Sequence, residues 1–91
     1  MTDFEWDPAK AAANLRKHGV DFADAATTFE DSQAVTVRDP DASGEERFVC
    51  VGGDVCGRVL VTVFVWRGDA IRIISARRGS RVERARYREA P

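Results

Sequence analysis

The sequence predicts an α+β fold made of two N-terminal helices, a four-stranded antiparallel sheet and a C-terminal helix. Three observations carry that expectation. Helix-forming residues with capping signals fill the first thirty positions, β-branched and aromatic runs punctuated by turn residues fill positions 34–76, and a Ser-x-x-Glu motif reopens helical sequence at Ser80. A chain of 91 residues has room for one modest core, so positions 1–91 are read as a single domain.

Asp7 followed by Pro8 places an N-cap before a proline at the first helical position, and the alanine-rich stretch behind it stops at Gly19. A helix over 8–18 is expected. Asp21 caps a second helix over 22–29, with Asp24 three residues on and Phe22, Ala25, Ala26 and Phe29 at helical spacing. The link between the two is short enough to make them a hairpin. Strands are expected at 34–38, 47–51, 59–66 and 70–76, the first closed by the loop from Asp39-Pro40 to Gly44.

Gly68-Asp69 suits a type II′ turn and would pair Arg67 with Ala70. In that register Leu60, Thr62, Phe64 and Trp66 share a face with Ile71, Ile73, Ser75 and Arg77. The opposite face holds Val59, Val61, Val63 and Val65 with Arg72, Ile74 and Ala76. That aliphatic face is the expected floor for the helix pair, and the polar end of the first face, toward Thr62, Ser75, Arg58 and Arg77, is the expected site. Ser80 and Glu83 form a capping box for a last helix over 81–89, which contains Val82, Ala85, Arg86 and Tyr87.

A net charge of −1 conceals a segregation along the chain. Residues 1–57 hold five Lys/Arg against twelve Asp/Glu, whereas residues 58–91 hold nine arginines against three acids. Guanidinium binds phosphate in a bidentate fork and stacks on bases, so this concentration points to a nucleic-acid surface. Pairing between the two halves is the alternative. No apolar run reaches the ~20 residues of a membrane span. The acidic start is unlike a secretory signal, and a cytoplasmic location without membrane contact is expected. Cys50 and Cys56 are too few for a disulfide framework. With no zinc spacing, phosphate-binding loop, dinucleotide turn or nucleophile elbow in the sequence, neither metal nor cofactor is expected.

His18 is the sole histidine and the only side chain whose ordinary pKa lies near neutrality. It reads either as a proton carrier or as a charge at a helix C-terminus. Arg58 and Arg77 share the polar end of one face in the deduced register, where two guanidiniums could flank one phosphate. Arg78 and Arg81 open the last helix and can add phosphate contacts. Arg72 is a phosphate contact or a structural ion-pair residue, Lys17 a phosphate contact or a solvated charge, and Tyr87 a stacking or proton-donating group or core packing.

The order of elements resembles the RelE superfamily of ribonuclease toxins. Local sequence sharpens the likeness: Phe4-Glu5-Trp6-Asp7, Asn14-Leu15-Arg16-Lys17-His18-Gly19-Val20, Phe22 with Ala25-Ala26, Glu46-Arg47-Phe48, Gly57-Arg58, Ile71-Arg72-Ile73-Ile74-Ser75-Ala76-Arg77-Arg78, and Glu83-Arg84 with Tyr87. These segments are similar to the BrnT toxin family from end to end. Trp66 ahead of Arg67 and the Gly79-Ser80 pair are less typical of it. The resemblance implies a metal-independent endoribonuclease that cleaves RNA and arrests translation and growth. A cognate antitoxin, expected to be of the ribbon-helix-helix type, would neutralise it, and promoter DNA would be bound only through that antitoxin. Metal-free cleavage turns the 2′-hydroxyl on the adjacent phosphate and needs a base, an acid and positive charge. Arg58, Arg77, His18 and Tyr87 are the expected catalytic groups, with Lys17, Arg72, Arg78 and Arg81 as RNA contacts. The alternative is a non-catalytic, antitoxin-binding module that acts in autorepression of its own operon.

Overall fold

Asp7 caps α1 (Pro8–His18) by accepting from the Ala9 N–H at 2.8 Å, and Gly19 closes it with φ 69° while returning its N–H to the Leu15 carbonyl. The structure, a computed structural model, describes residues 2–89. Asp21 caps α2 (Phe22–Ala26) through the Ala23 N–H at 2.9 Å. This helix is shorter than the sequence predicts. Thr27 and Thr28 donate their hydroxyls back to the carbonyls of Asp24 and Ala25 at 2.6 and 2.7 Å, and the chain tightens into a 3-10 turn, Thr27–Glu30.

Five strands follow one another across the sheet in the order β1-β5-β4-β3-β2. They are β1 (Asp3–Glu5), β2 (Val35–Arg38), β3 (Phe48–Gly53), β4 (Val59–Arg67) and β5 (Ala70–Arg78), and α3 (Arg81–Glu89) is the last described element. The antiparallel meander β2 to β5 is the expected one. β1 corrects the four-stranded expectation: it pairs parallel to β5 through Phe4↔Ile71 and makes the sheet mixed. Three residues with one half-buried ring are too short for their alternation to stand out, and their partner strand lies at the far end of the sequence.

The β4–β5 turn forms as the sequence predicts, with Gly68 at φ 60° and Arg67 opposite Ala70. The register then changes. Phe64 pairs with Ile73 but Val63 pairs with Ser75, so Ile74 is the extra residue of a β-bulge. Because side chains alternate with period two, every later position on β5 changes face. Ala76 turns inward opposite Thr62, and Arg77 turns outward opposite Val61.

The expected floor is corrected as well. The helix pair packs on the face of Leu60, Phe64, Ile71, Ile73 and Ala76, where Val20, Phe22 and Ala25 complete the core. Rings decide the choice: Phe29 stands edge-on to Phe64 at 5.0 Å and beside Phe4 at 5.5 Å, while Phe48 stacks on Phe64 at 5.6 Å. Such rings fill the gap between helix and sheet better than a row of valines. Thr62, expected at a polar end, is fully buried, and its hydroxyl has no partner among the described residues.

β1 covers only the first residues of β5, and the buried Asn14 amide satisfies the open edge beyond it. Its Nδ2 donates to the carbonyls of Ala76 at 2.8 Å and Val20 at 3.0 Å, and its Oδ1 accepts from the Ala76 N–H at 3.1 Å. One side chain thus ties α1, the loop before α2 and β5 together. Gly52 lets the 3-10 turn and Ala34 rest on β3, since a Cβ there would lie 3.2 Å from the Thr28 carbonyl oxygen and 2.8 Å from the Ala34 Cβ. The opposite, valine-rich face is covered only in part by α3, none of whose residues is buried.

Candidate functional site

The C-terminus of α1, the start of β4, the end of β5 and one flank of α3 meet at the same end of the sheet. Arg58 is the most anchored charge there. Its Nε and Nη2 donate to Asp54 Oδ2 at 3.0 and 2.8 Å, its Nη2 also reaches Asp24 at 3.3 Å, and its Nη1 points to the Gly19 carbonyl at 3.4 Å. Asp54 in turn accepts the backbone N–H groups of Cys56 and Arg58 on its other oxygen. This hydrogen bonding holds Arg58 charged, above even the ordinary arginine range.

Beside it opens a groove of about 300 Å³ lined by Arg58, Arg78, Arg84 and Arg88 with Gly57 and Val59. Arg78 comes from the last position of β5, and Arg84 and Arg88 stand one turn apart on α3, so three elements aim guanidiniums at one space. Arg84 donates to the Gly79 carbonyl at 2.9 Å. Among the described residues no carboxylate pairs with Arg78, Arg84 or Arg88, while Arg58 has two. The sequence reading missed Arg84 and Arg88, although their i, i+4 spacing was the available signal.

His18 lines an adjacent groove of about 230 Å³ with Lys10, Lys17, Asn14, Ile74 and Ser75. It is joined to the arginine groove by Gly19, the residue after it, whose carbonyl faces Arg58. The structure therefore brings Arg58, Arg78, His18 and Lys17 to one end of the molecule. It does not bring Arg58 and Arg77 onto one face: the bulge sends Arg77 to the α3 side, where its fork grips Glu83 at 2.8 and 2.9 Å. Arg72 lies 3.9 Å from Glu5, an ion pair that links β5 to β1. Arg81 is exposed and lies outside the groove lining.

Tyr87 sits on the other flank of α3 and is neither in the arginine groove nor in the core. Its hydroxyl donates to Asp31, which also accepts the Gly53 N–H at 2.7 Å. That bond lowers the Asp31 carboxyl and raises the Tyr87 phenol. Val82, its expected packing neighbour, is 60% exposed. At the start of the helix the capping box forms as expected, Ser80 N–H to Glu83 at 2.7 Å and Glu83 N–H to Ser80 Oγ at 3.1 Å. With Arg77 as the largest influence, these contacts hold the Glu83 carboxyl at about 2.

α3 is thus latched at two titratable points, and the signs follow from linkage. The Glu83 contribution is present above its ordinary value of 4.5 and is lost as pH falls toward about 2. The Tyr87 contribution is present below its ordinary value of 10 and is lost as pH rises through the elevated one. Tyr87 is the only tyrosine, so phenolate absorbance reports on it alone. The titration midpoint is expected above 10 in the folded protein, and a midpoint at or below 10 would show the latch to be absent.

Asp24, Asp54 and Cys56 place one ligand atom each within 4.8 Å of one another. Both Asp54 oxygens are already engaged, and the Arg58 guanidinium takes the place a cation would occupy. The cluster fits an ion pair better than a metal.

The family model for BrnT, the ribonuclease toxin of a type II toxin-antitoxin system, matches residues 6–83. The 1.1 Å crystal structure of the Brucella abortus ribonuclease toxin BrnT is similar, with a TM-score of 0.70 at 25% identity over 89% of this chain and 100% of that one. No curated protein matches the chain. With the family matched over most of the length and the fold shared, the chain belongs to the BrnT family of ribonuclease toxins of type II toxin-antitoxin systems.

Proposed function

We propose that this chain is a metal-independent endoribonuclease toxin that binds RNA in the arginine groove and is neutralised by a cognate antitoxin of the ribbon-helix-helix type, which alone contacts promoter DNA. The observation that carries the reading is the convergence of Arg58, Arg78, Arg84 and Arg88 on one groove, with carboxylates offsetting only the first. Three unpaired guanidiniums in one groove attract a polyanion and stabilise charge that builds up on a phosphate. His18, next to the groove through Gly19, is the proton carrier of this reading. The 2′-oxygen attacks phosphorus as its proton leaves to the base, the phosphorus–5′-oxygen bond breaks, and a proton is delivered to the departing oxygen. Lys17 extends the cationic surface on the His18 side. Arg77 and Tyr87 act in this scheme through the placement of α3.

Purified protein is expected to cleave single-stranded RNA in excess chelator and to leave 2′,3′-cyclic phosphate and 5′-hydroxyl ends. Strict dependence on magnesium would overturn the mechanism. Failure to cleave RNA or to arrest growth when expressed alone, with antitoxin binding intact, would favour the non-catalytic autorepression reading.

A further inference from the structure

The valine-rich face of the sheet is incompletely covered, and its open part lies beside α3. A groove of about 250 Å³ runs between β2 and α3, floored by Val35 and Val51 and walled by Glu83, Arg86 and Tyr87. Val35 and Val37 are 48% and 54% exposed although both are β-branched residues on a strand. β2 is also the edge of the sheet, so the backbone groups on its outer side have no strand to pair with among the described residues. An uncharged Val-Thr-Val edge next to an apolar groove is an aggregation liability unless something occupies it. Arg38, the one charge on β2, is already engaged by Glu46 at 3.0 Å.

We propose that this edge and groove are the seat of the antitoxin, which presents there an apolar segment flanked by carboxylates. The proposal rests on the toxin reading above and adds the docking surface to it. Charge complementarity selects the partner. The rim residue Arg86 has no acidic partner among the described residues, whereas the rim acid Glu83 is consumed by Arg77. The groove therefore offers valines and a free cation, and it rejects a basic or wholly polar segment.

The two flanks of α3 explain how docking would silence the toxin. Glu83, Arg86 and Tyr87 face the valine groove, while Arg84 and Arg88 face the arginine groove. A segment seated over Val35 has only to cross one helix, about 10 Å wide, to place carboxylates on the RNA-binding arginines. Neutralisation then needs no change in the toxin's shape.

The test uses the full chain and its co-expressed antitoxin, with V35D/V37D and R86E as variants. Both valines are half-exposed, so V35D/V37D is expected to keep the native circular dichroism spectrum and to cleave RNA like the parent when free. It should bind antitoxin about 100-fold more weakly, as loss of a hot-spot pair does. R86E should weaken binding about 10-fold and flatten its dependence on salt. Antitoxin affinity within threefold of the parent for both variants overturns the proposal. So does a free chain that sediments as a dimer and becomes monomeric on V35D/V37D, since a second copy would then own the face. If parent and variants alike fail to cleave RNA while the affinities fall as stated, the ribonuclease reading fails and the docking surface stands.

Discussion

Arg78→Ala is expected to lower RNA cleavage by on the order of 100-fold, the usual effect of removing one preorganised donor from a phosphoryl or acyl site. Folding stability should change by less than about 0.5 kcal/mol, because the side chain is exposed at the end of β5 and has no carboxylate partner among the described residues. That separation makes it the cleanest probe of the groove. Arg78→Lys should recover little, since an ammonium keeps the charge but not the planar fork. Arg67→Ala serves as the control: it is paired with Glu45 at the far, hairpin end of the sheet, and its cleavage rate should stay near the parent's. Single-turnover rates and a urea midpoint for each variant decide the matter. Cleavage by Arg78→Ala within threefold of the parent would place the reaction elsewhere.

Arg58→Ala is expected to lower activity as well, but it also costs about 3 kcal/mol of stability. The Asp54 side chain is 0% exposed and Arg58 only 21%, so truncation leaves a carboxylate buried without its cation. It also unfastens the β3–β4 turn from Asp24 and from the Gly19 carbonyl. In a small domain whose whole stability is about 5–15 kcal/mol, that loss is large. Pairing the change with Asp54→Asn should restore part of the stability while activity stays low. A urea midpoint unchanged in Arg58→Ala would show that the pair carries no structural weight. Loss of toxicity in Arg58→Ala alone is therefore weak support for a catalytic role.

What the sequence revealed and concealed divides along the range of the interactions. Caps, the Gly68-Asp69 turn and the Ser80–Glu83 box are set by residues within four positions of one another, and all three form as read. The bulge at Ile74 lies inside an uninterrupted aliphatic run with no glycine to mark it, yet it reverses the face of Arg77 and Ala76. Arg58 and Arg78 are at one end of the sheet in either register, but the side chains gathered around them are not the expected ones. Arg77 left for Glu83, and Arg84 and Arg88 entered from a helix whose orientation depends on the distant contact between Tyr87 and Asp31. β1 was hidden for the same reason, since its three residues acquire meaning only opposite β5.

β5 is where the N-terminal parts of the molecule come to rest: β1 pairs with it, Asn14 of α1 bonds to its Ala76 backbone, and α2 packs on it. A ribosome emits those parts first and their support late, from Ala70 onward. During most of synthesis the nascent helices expose Val20 and Phe22 with nothing to lie against, and the arginine groove, which needs Arg78 and Arg84, does not yet exist. If the groove binds RNA as proposed, the order of elements along the chain delays that binding until the last of these elements has been made.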